Sequence, residues 1–143
     1  MSAPREAVST ALFGLLVAAY PWRSSGRRLK LWADVPLDQR PALYQTEFLP
    51  EVYSWTGQPT PKRTIGARLF IYIDAKDPNV VGATELNAIL DALDVALAAP
   101  TGQLKQTLGG LCDNCRVKGV STKDDGALDG DGLLVVEVEL IFP

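Results

Sequence analysis

Arg68-Leu69-Phe70-Ile71-Tyr72-Ile73-Asp74 alternates along its whole length. Ala67, Leu69, Ile71 and Ile73 fall on one side and Arg68, Phe70, Tyr72 and Asp74 on the other, the period of two that a β-strand imposes. Both sides are substantially apolar. A helix can cover one of them, and the Phe70/Tyr72 side then has to meet more of the same chain or a neighbouring subunit.

Downstream, the period changes to that of a helix. Leu86, Ile89, Leu90, Leu93 and Leu97 form a stripe opposite Glu85, Asn87, Asp91 and Asp94, which predicts a helix over 81–99, stopped by Pro100. Glu85 sits near its N-terminal end, where the helix dipole favours a negative charge. At the start of the chain Val8, Leu12, Leu15 and Ala19 recur at helical spacing, widened by Phe13 and Leu16. Ser2 is placed to cap this helix, Pro4 suits its first turn, and Pro21 ends it. Two one-sided helices therefore stand ready to cover one face of a sheet.

The remaining runs supply that sheet. Leu29-Lys30-Leu31-Trp32-Ala33 alternates and is closed by Val35-Pro36. Ala42 to Phe48 places Tyr44, Thr46 and Phe48 on one face, and Val52-Tyr53-Ser54-Trp55 continues it beyond Pro50. Pro59 and Pro61 make the loop 56–62 an extended hairpin tip. Gln106–Leu108, Cys115–Val120 and Leu133–Phe142 are the later strand candidates. The last puts Leu134, Val136, Val138, Leu140 and Phe142 on an unbroken apolar face, with Glu137 and Glu139 on the other. No repeat or linker divides residues 1–143. The order predicts a single α+β domain, two main helices packed on a mainly antiparallel sheet with long hairpin loops.

The chain has 143 residues, of which 47% are hydrophobic and 22% charged, with two cysteines and no histidine. The absence of histidine excludes Ser-His-Asp and Cys-His nucleophiles and all His-ligated metal sites. A net charge of −3 lacks the basic excess of a nucleic-acid-binding protein; the short cluster Arg23, Arg27, Arg28, Lys30 reads as a solvated loop and strand edge. No run is long enough to span a bilayer, and no membrane partner is expected. The apolar run 11–19 is flanked by Arg5 and Glu6 on one side and Tyr20-Pro21-Trp22 on the other. It is expected to be a retained helix, because neither flank suits a signal peptide.

Chemical motifs are sparse. Cys112-Asp-Asn-Cys115 has no second pair to complete a zinc site and no βαβ context for a redox role, so two reduced thiols are expected. Residues 121–132 carry Asp124, Asp125, Asp129 and Asp131 among three glycines, but in no frame match an EF-hand, and read as a flexible acidic hairpin loop. Gly109-Gly110 lacks the Lys-Ser/Thr of a phosphate loop. No catalytic, cofactor or metal residues are assigned, and no enzyme activity is expected.

Apolar residues on more strand faces than two helices can cover point to association. The helix ending Ala-Ala-Tyr20-Pro21-Trp22, the stretch Arg28-Leu-Lys-Leu-Trp-Ala-Asp-Val-Pro36, then Gln39-Arg-Pro-Ala-Leu-Tyr44 lead into the passage from Leu69-Phe-Ile-Tyr72 to Val80-Val-Gly-Ala-Thr-Glu-Leu-Asn-Ala-Ile-Leu-Asp-Ala-Leu-Asp94. Together with the closing Asp131-Gly-Leu-Leu-Val-Val136, they resemble the tail terminator (minor tail) proteins of long-tailed bacteriophages. The resemblance implies a structural virion protein of the tail or neck, assembled in the host cytoplasm. It implies a ring, typically of six copies, that caps the tail tube, ends its polymerisation and joins it to a head-side connector, with DNA only in transit. On that basis Tyr44, Tyr53, Trp55, Phe70 and Tyr72 are expected at subunit or tube contacts. Glu137, Glu139, Asp124, Asp125, Asp129 and Asp131 are candidates for the channel wall, where like charge would repel phosphates. Another neck or tail ring component, such as a head-completion or tube protein, is the alternative; a small-ligand domain or an enzyme would instead show a deep pocket.

Overall fold

A computed structural model describes residues 4–47, 49–57 and 59–143. Ser2, the expected helix cap, and Phe48, the expected end of a strand face, lie outside them. In chain order the elements are helix α1 (Arg5–Ala19), strands β1 (Ser24–Gly26), β2 (Ala42–Thr46), β3 (Val52–Ser54) and β4 (Lys62–Asp74), helix α2 (Gly82–Ala96), and strands β5 (Asn114–Val117), β6 (Thr122–Asp124) and β7 (Asp131–Phe142). The strands form one seven-stranded mixed sheet, so the chain is a single-domain α+β fold.

β4 and β7, the two runs with the cleanest alternation, are the two longest strands and pair antiparallel from Arg63↔Phe142 to Asp74↔Asp131. Each is longer than its neighbours, so each outer edge carries two short strands. β2 and β3 share the free edge of β4, while β5 and β6 share that of β7. Only β1 is parallel, alongside β2.

The helices lie on the face formed by Leu43, Ala67, Leu69, Ile71, Ile73, Leu134, Val136, Val138 and Leu140. Val8, Leu12 and Leu16 from α1 and Leu86, Ile89 and Leu93 from α2 complete this core. Most of these side chains are fully buried, and full burial of a Leu or Ile contributes about 1.5–3 kcal/mol. Pro4 occupies the N-cap of α1 without a side-chain bond. The indole N–H of Trp22 donates to the Leu16 carbonyl at 2.9 Å and so satisfies an acceptor in the last turn of α1.

Two expected strands do not form. Residues 29–33 run into a single 3₁₀ turn, Trp32–Asp34. Alternation alone does not make a strand; a free edge must be available, and β1 already occupies the outer edge of β2. Gln106–Leu108 is a turn in which the Gln106 amide donates to the carbonyls of Ala96 and Ala98 at 3.2 and 3.0 Å, closing the C-terminal end of α2. The acidic stretch 121–132 contains β6 and has a defined turn rather than a featureless loop. The carboxylates of Asp124, Asp125 and Asp129 each accept a backbone N–H two residues on, and Gly126 and Gly130 adopt φ of 76° and 82°, conformations that glycine takes at little cost.

Candidate assembly interface

The face of the sheet away from the helices divides into three zones. Nearest the Asp74/Asp131 end, residues 27–41 cross it as a strap. Beneath the strap Tyr44 and Tyr72 are 2% and 4% exposed, packed with Val35 and Ala42, their rings 5.9 Å apart. Arg40 fastens the strap from below. Its guanidinium, almost wholly buried, bonds Asp131 at 2.7 Å, the Val35 and Trp32 carbonyls at 3.2 and 2.8 Å, and reaches the Ile73 carbonyl at 3.4 Å. The Tyr72 hydroxyl donates to the Lys30 carbonyl at 2.8 Å. This placement corrects the expectation for two of the five aromatic candidates: Tyr44 and Tyr72 meet their own chain and are closed to a partner. Phe70 is half-buried at the border of the same cluster.

The middle zone is ionic. Arg68 bonds Glu137 across the β4–β7 pair at 2.7 Å. Glu139, buried although charged, accepts from Arg116 at 2.9 Å and Lys118 at 3.1 Å. Burial pushes the Glu139 carboxyl up, but the two bonds from Arg116 and Lys118 outweigh it and hold the group below the usual carboxylate range. Glu137 and Glu139 thus share a face, as expected, but with cations attached. They do not present bare negative charge there.

Toward the Lys62/Phe142 end the strands are uncovered. On this face Val52 is exposed; Tyr53, opposite Arg63, projects to the helix side and is 52% exposed, with Trp55 64% exposed just beyond β3. The Tyr53 hydroxyl accepts from Arg5, which also pairs with Glu51, so α1 anchors β3 from one side. A groove of about 200 Å³ lies between Leu49–Val52 and Lys118, floored by Gly66. Leu49 lies across the bare backbone of Gly66, where a Cβ would come within 2.5 Å of Leu49 Cδ1 and make that side chain shift.

Asp124, Asp125 and Asp129 are exposed at the opposite end of the strands, and Asp131 there is paired with Arg40 and, at 3.7 Å, Lys76. The structure therefore separates the carboxylate candidates into two groups at different heights. Sequence reasoning missed exposed Trp32 and Leu31, because their alternation with Leu29 was taken for a pleat. An aromatic in a stretch punctuated by Pro36, Asp34 and Asp38 was the available signal.

The cysteines are free and buried, and burial raises the thiols to about 11 for Cys112 and about 12 for Cys115, far from the thiolate that reactivity requires. Among the described residues no group of three or more His, Cys, Asp or Glu could hold a metal ion, and no helix is long and apolar enough to cross a membrane. Compared with known proteins, the chain matches no family model and no curated protein.

Proposed function

We propose that this chain is a non-enzymatic virion component that forms a ring on the end of a phage tail tube, ending its polymerisation and joining it to the head-side connector. The observation that carries the reading is the arrangement of the free edges. At the Lys62/Phe142 end β3, β4, β7 and β5 lie side by side, every pair antiparallel. The outermost strands, β3 and β5, therefore run in opposite directions and meet at one register level, Val52 and Asn114, through the Thr64↔Ile141 pair. Copies set side by side in the same orientation would join β5 to β3 antiparallel, and repetition by rotation closes a heterologous ring.

Other features support it. Tyr53 and Trp55 would be covered in such a junction or against the tube. The proposed ring has its helices outward and its ionic zone inward. DNA in transit would then meet Glu137 and Glu139 as paired groups among Arg68, Arg116 and Lys118, a zone with one positive charge in excess per copy that does not repel phosphates. A virion location follows from the reading and from the sequence resemblance.

Native mass spectrometry and electron microscopy of the purified chain test this reading. A closed ring of defined copy number is expected, lost or weakened when Tyr53→Lys places a charge on the β3 edge. Unlimited self-assembly into long tubes would make it a tube protein instead. A chain that stays monomeric at high micromolar concentration, with or without tail tubes, would overturn the proposal.

A further inference from the structure

At the Asp74/Asp131 end an open cleft of about 150 Å³ lies against the strap. It is lined by Trp32 and Leu133 with only the rim of the buried Tyr72, and its acidic side is made by Asp124, Asp129 and Asp131. Trp32 is 55% exposed, and its backbone is held by the buried Arg40. The backbone that carries the indole is therefore held, while much of the ring remains in water.

The charges around the cleft are unbalanced. Asp131 is occupied by Arg40 and Lys76, and Lys76 also donates to the Asp129 backbone carbonyl at 2.6 Å. Lys123 is bonded to Asn87 on α2. Among the described residues no cation pairs with the carboxylate of Asp124 or Asp129; each accepts one backbone N–H and keeps acceptor capacity. An aromatic face next to two unpaired carboxylates suits an organic cation, which gains from the ring quadrupole and from charge-assisted hydrogen bonds together. Leu31 and Leu128, the chain neighbours of Trp32 and Asp129, are exposed. A free small amine would leave these uncovered, whereas a polypeptide bringing apolar neighbours with its cation would bury them.

We infer that the Trp32 cleft is a docking site for an arginine or lysine side chain presented by a partner protein, with the cation over the indole and its N–H groups on Asp124 and Asp129. The site, at Tyr72 and Leu133, lies about 30 Å along β4 from the β3 edge and about 20 Å from the β5 edge, at roughly 3.3 Å per residue. It would address a protein stacked on that end of the molecule and does not depend on the ring.

The test uses the full chain with 15N-labelled tryptophan, the Trp32 signal being assigned with Trp32→Phe. N-acetylarginine amide is titrated against its uncharged isostere, N-acetylcitrulline amide. The expected result is a saturable shift of the Trp32 indole signal with the arginine probe, half-complete at about millimolar concentration, and none with citrulline. Asp124→Asn with Asp129→Asn keeps an oxygen for each turn bond and should weaken binding about fivefold. An unmoved Trp32 signal, an equal response to citrulline or unchanged affinity in the double variant would overturn the inference. So would a concentration-dependent Trp32 shift without probe, which would assign the cleft to a second copy. Rings without probe binding would defeat this inference alone, and probe binding without rings would defeat only the ring reading.

Discussion

The two faces of one sheet are built on different rules. On the helix side, alternate residues from Ile65 to Ile73 in β4 and from Leu134 to Phe142 in β7 are apolar without interruption and nearly all fully buried. On the other side, the same strands carry an aromatic pair under a strap, then an ionic ladder, then bare edges. The first face needs only the right period and volume, since any helix with a matching stripe covers it. The second face depends on which distant segment arrives at each position. Its aromatic zone is closed only because Arg40 ties residues 27–41 down onto Asp131.

The contrast can be broken most severely from the helix side. Leu134→Ala should cost about 3–4 kcal/mol, because a fully buried leucine leaves a cavity that the packed sheet cannot close; urea denaturation measures it. A loss under 1 kcal/mol would mean that this face is not the tight core described. Arg40→Ala should cost about 3 kcal/mol by leaving the strap carbonyls and Asp131 without their buried donor. Arg40→Lys should not restore it, because one ammonium cannot reproduce the spread of the guanidinium. Hydrogen exchange should then show residues 27–41 opening ahead of the rest.

Two smaller changes sharpen the second face. Tyr72→Phe removes the bond to the Lys30 carbonyl and should cost about 1 kcal/mol, read as a lowered urea midpoint. Glu139→Gln should cost about 0.5–1 kcal/mol near neutral pH, because Arg116 and Lys118 are largely exposed partners. The sign of its pH dependence follows from the lowered pKa of the folded state. The stabilisation by Glu139 is present above its unfolded pKa of about 4.5 and is lost as pH falls through the folded value. The gap between wild type and Glu139→Gln should therefore narrow on acidification below that range. A gap that widened would place Glu139 in repulsive surroundings.

Much of the fold is legible in particular residues. The alternation of 67–74 and 133–142 marks β4 and β7, and the leucine and isoleucine stripe of 86–97 marks α2, which ends at Ala96, a few residues before Pro100. β1 was illegible because Ser24-Ser25-Gly26 has no pattern of its own and is a strand only by lying along β2. Residues 29–33 show the converse, a pattern without an edge to pair with. At the candidate interface the exposed Tyr53 and Trp55 followed from their place beside a proline-containing hairpin. Burial of Tyr44 and Tyr72 could not be read, since nothing local announces that a strap more than thirty residues before Tyr72 will lie over it.

By itself the sequence determined the period of each long element, the apolar face each presents, the absence of histidine chemistry and the α+β class. These follow from local sterics and from side chains leaving a strand or helix in fixed directions. Only the tertiary structure decided which cations meet Glu137 and Glu139, that Arg40 secures the strap, that Trp32 shares a cleft with Asp124 and Asp129, and that β3 and β5 lie outermost among the described strands at the Lys62/Phe142 end. Those outcomes join residues tens of positions apart, and such pairings are set by how the whole chain closes on itself, where local pattern carries no information.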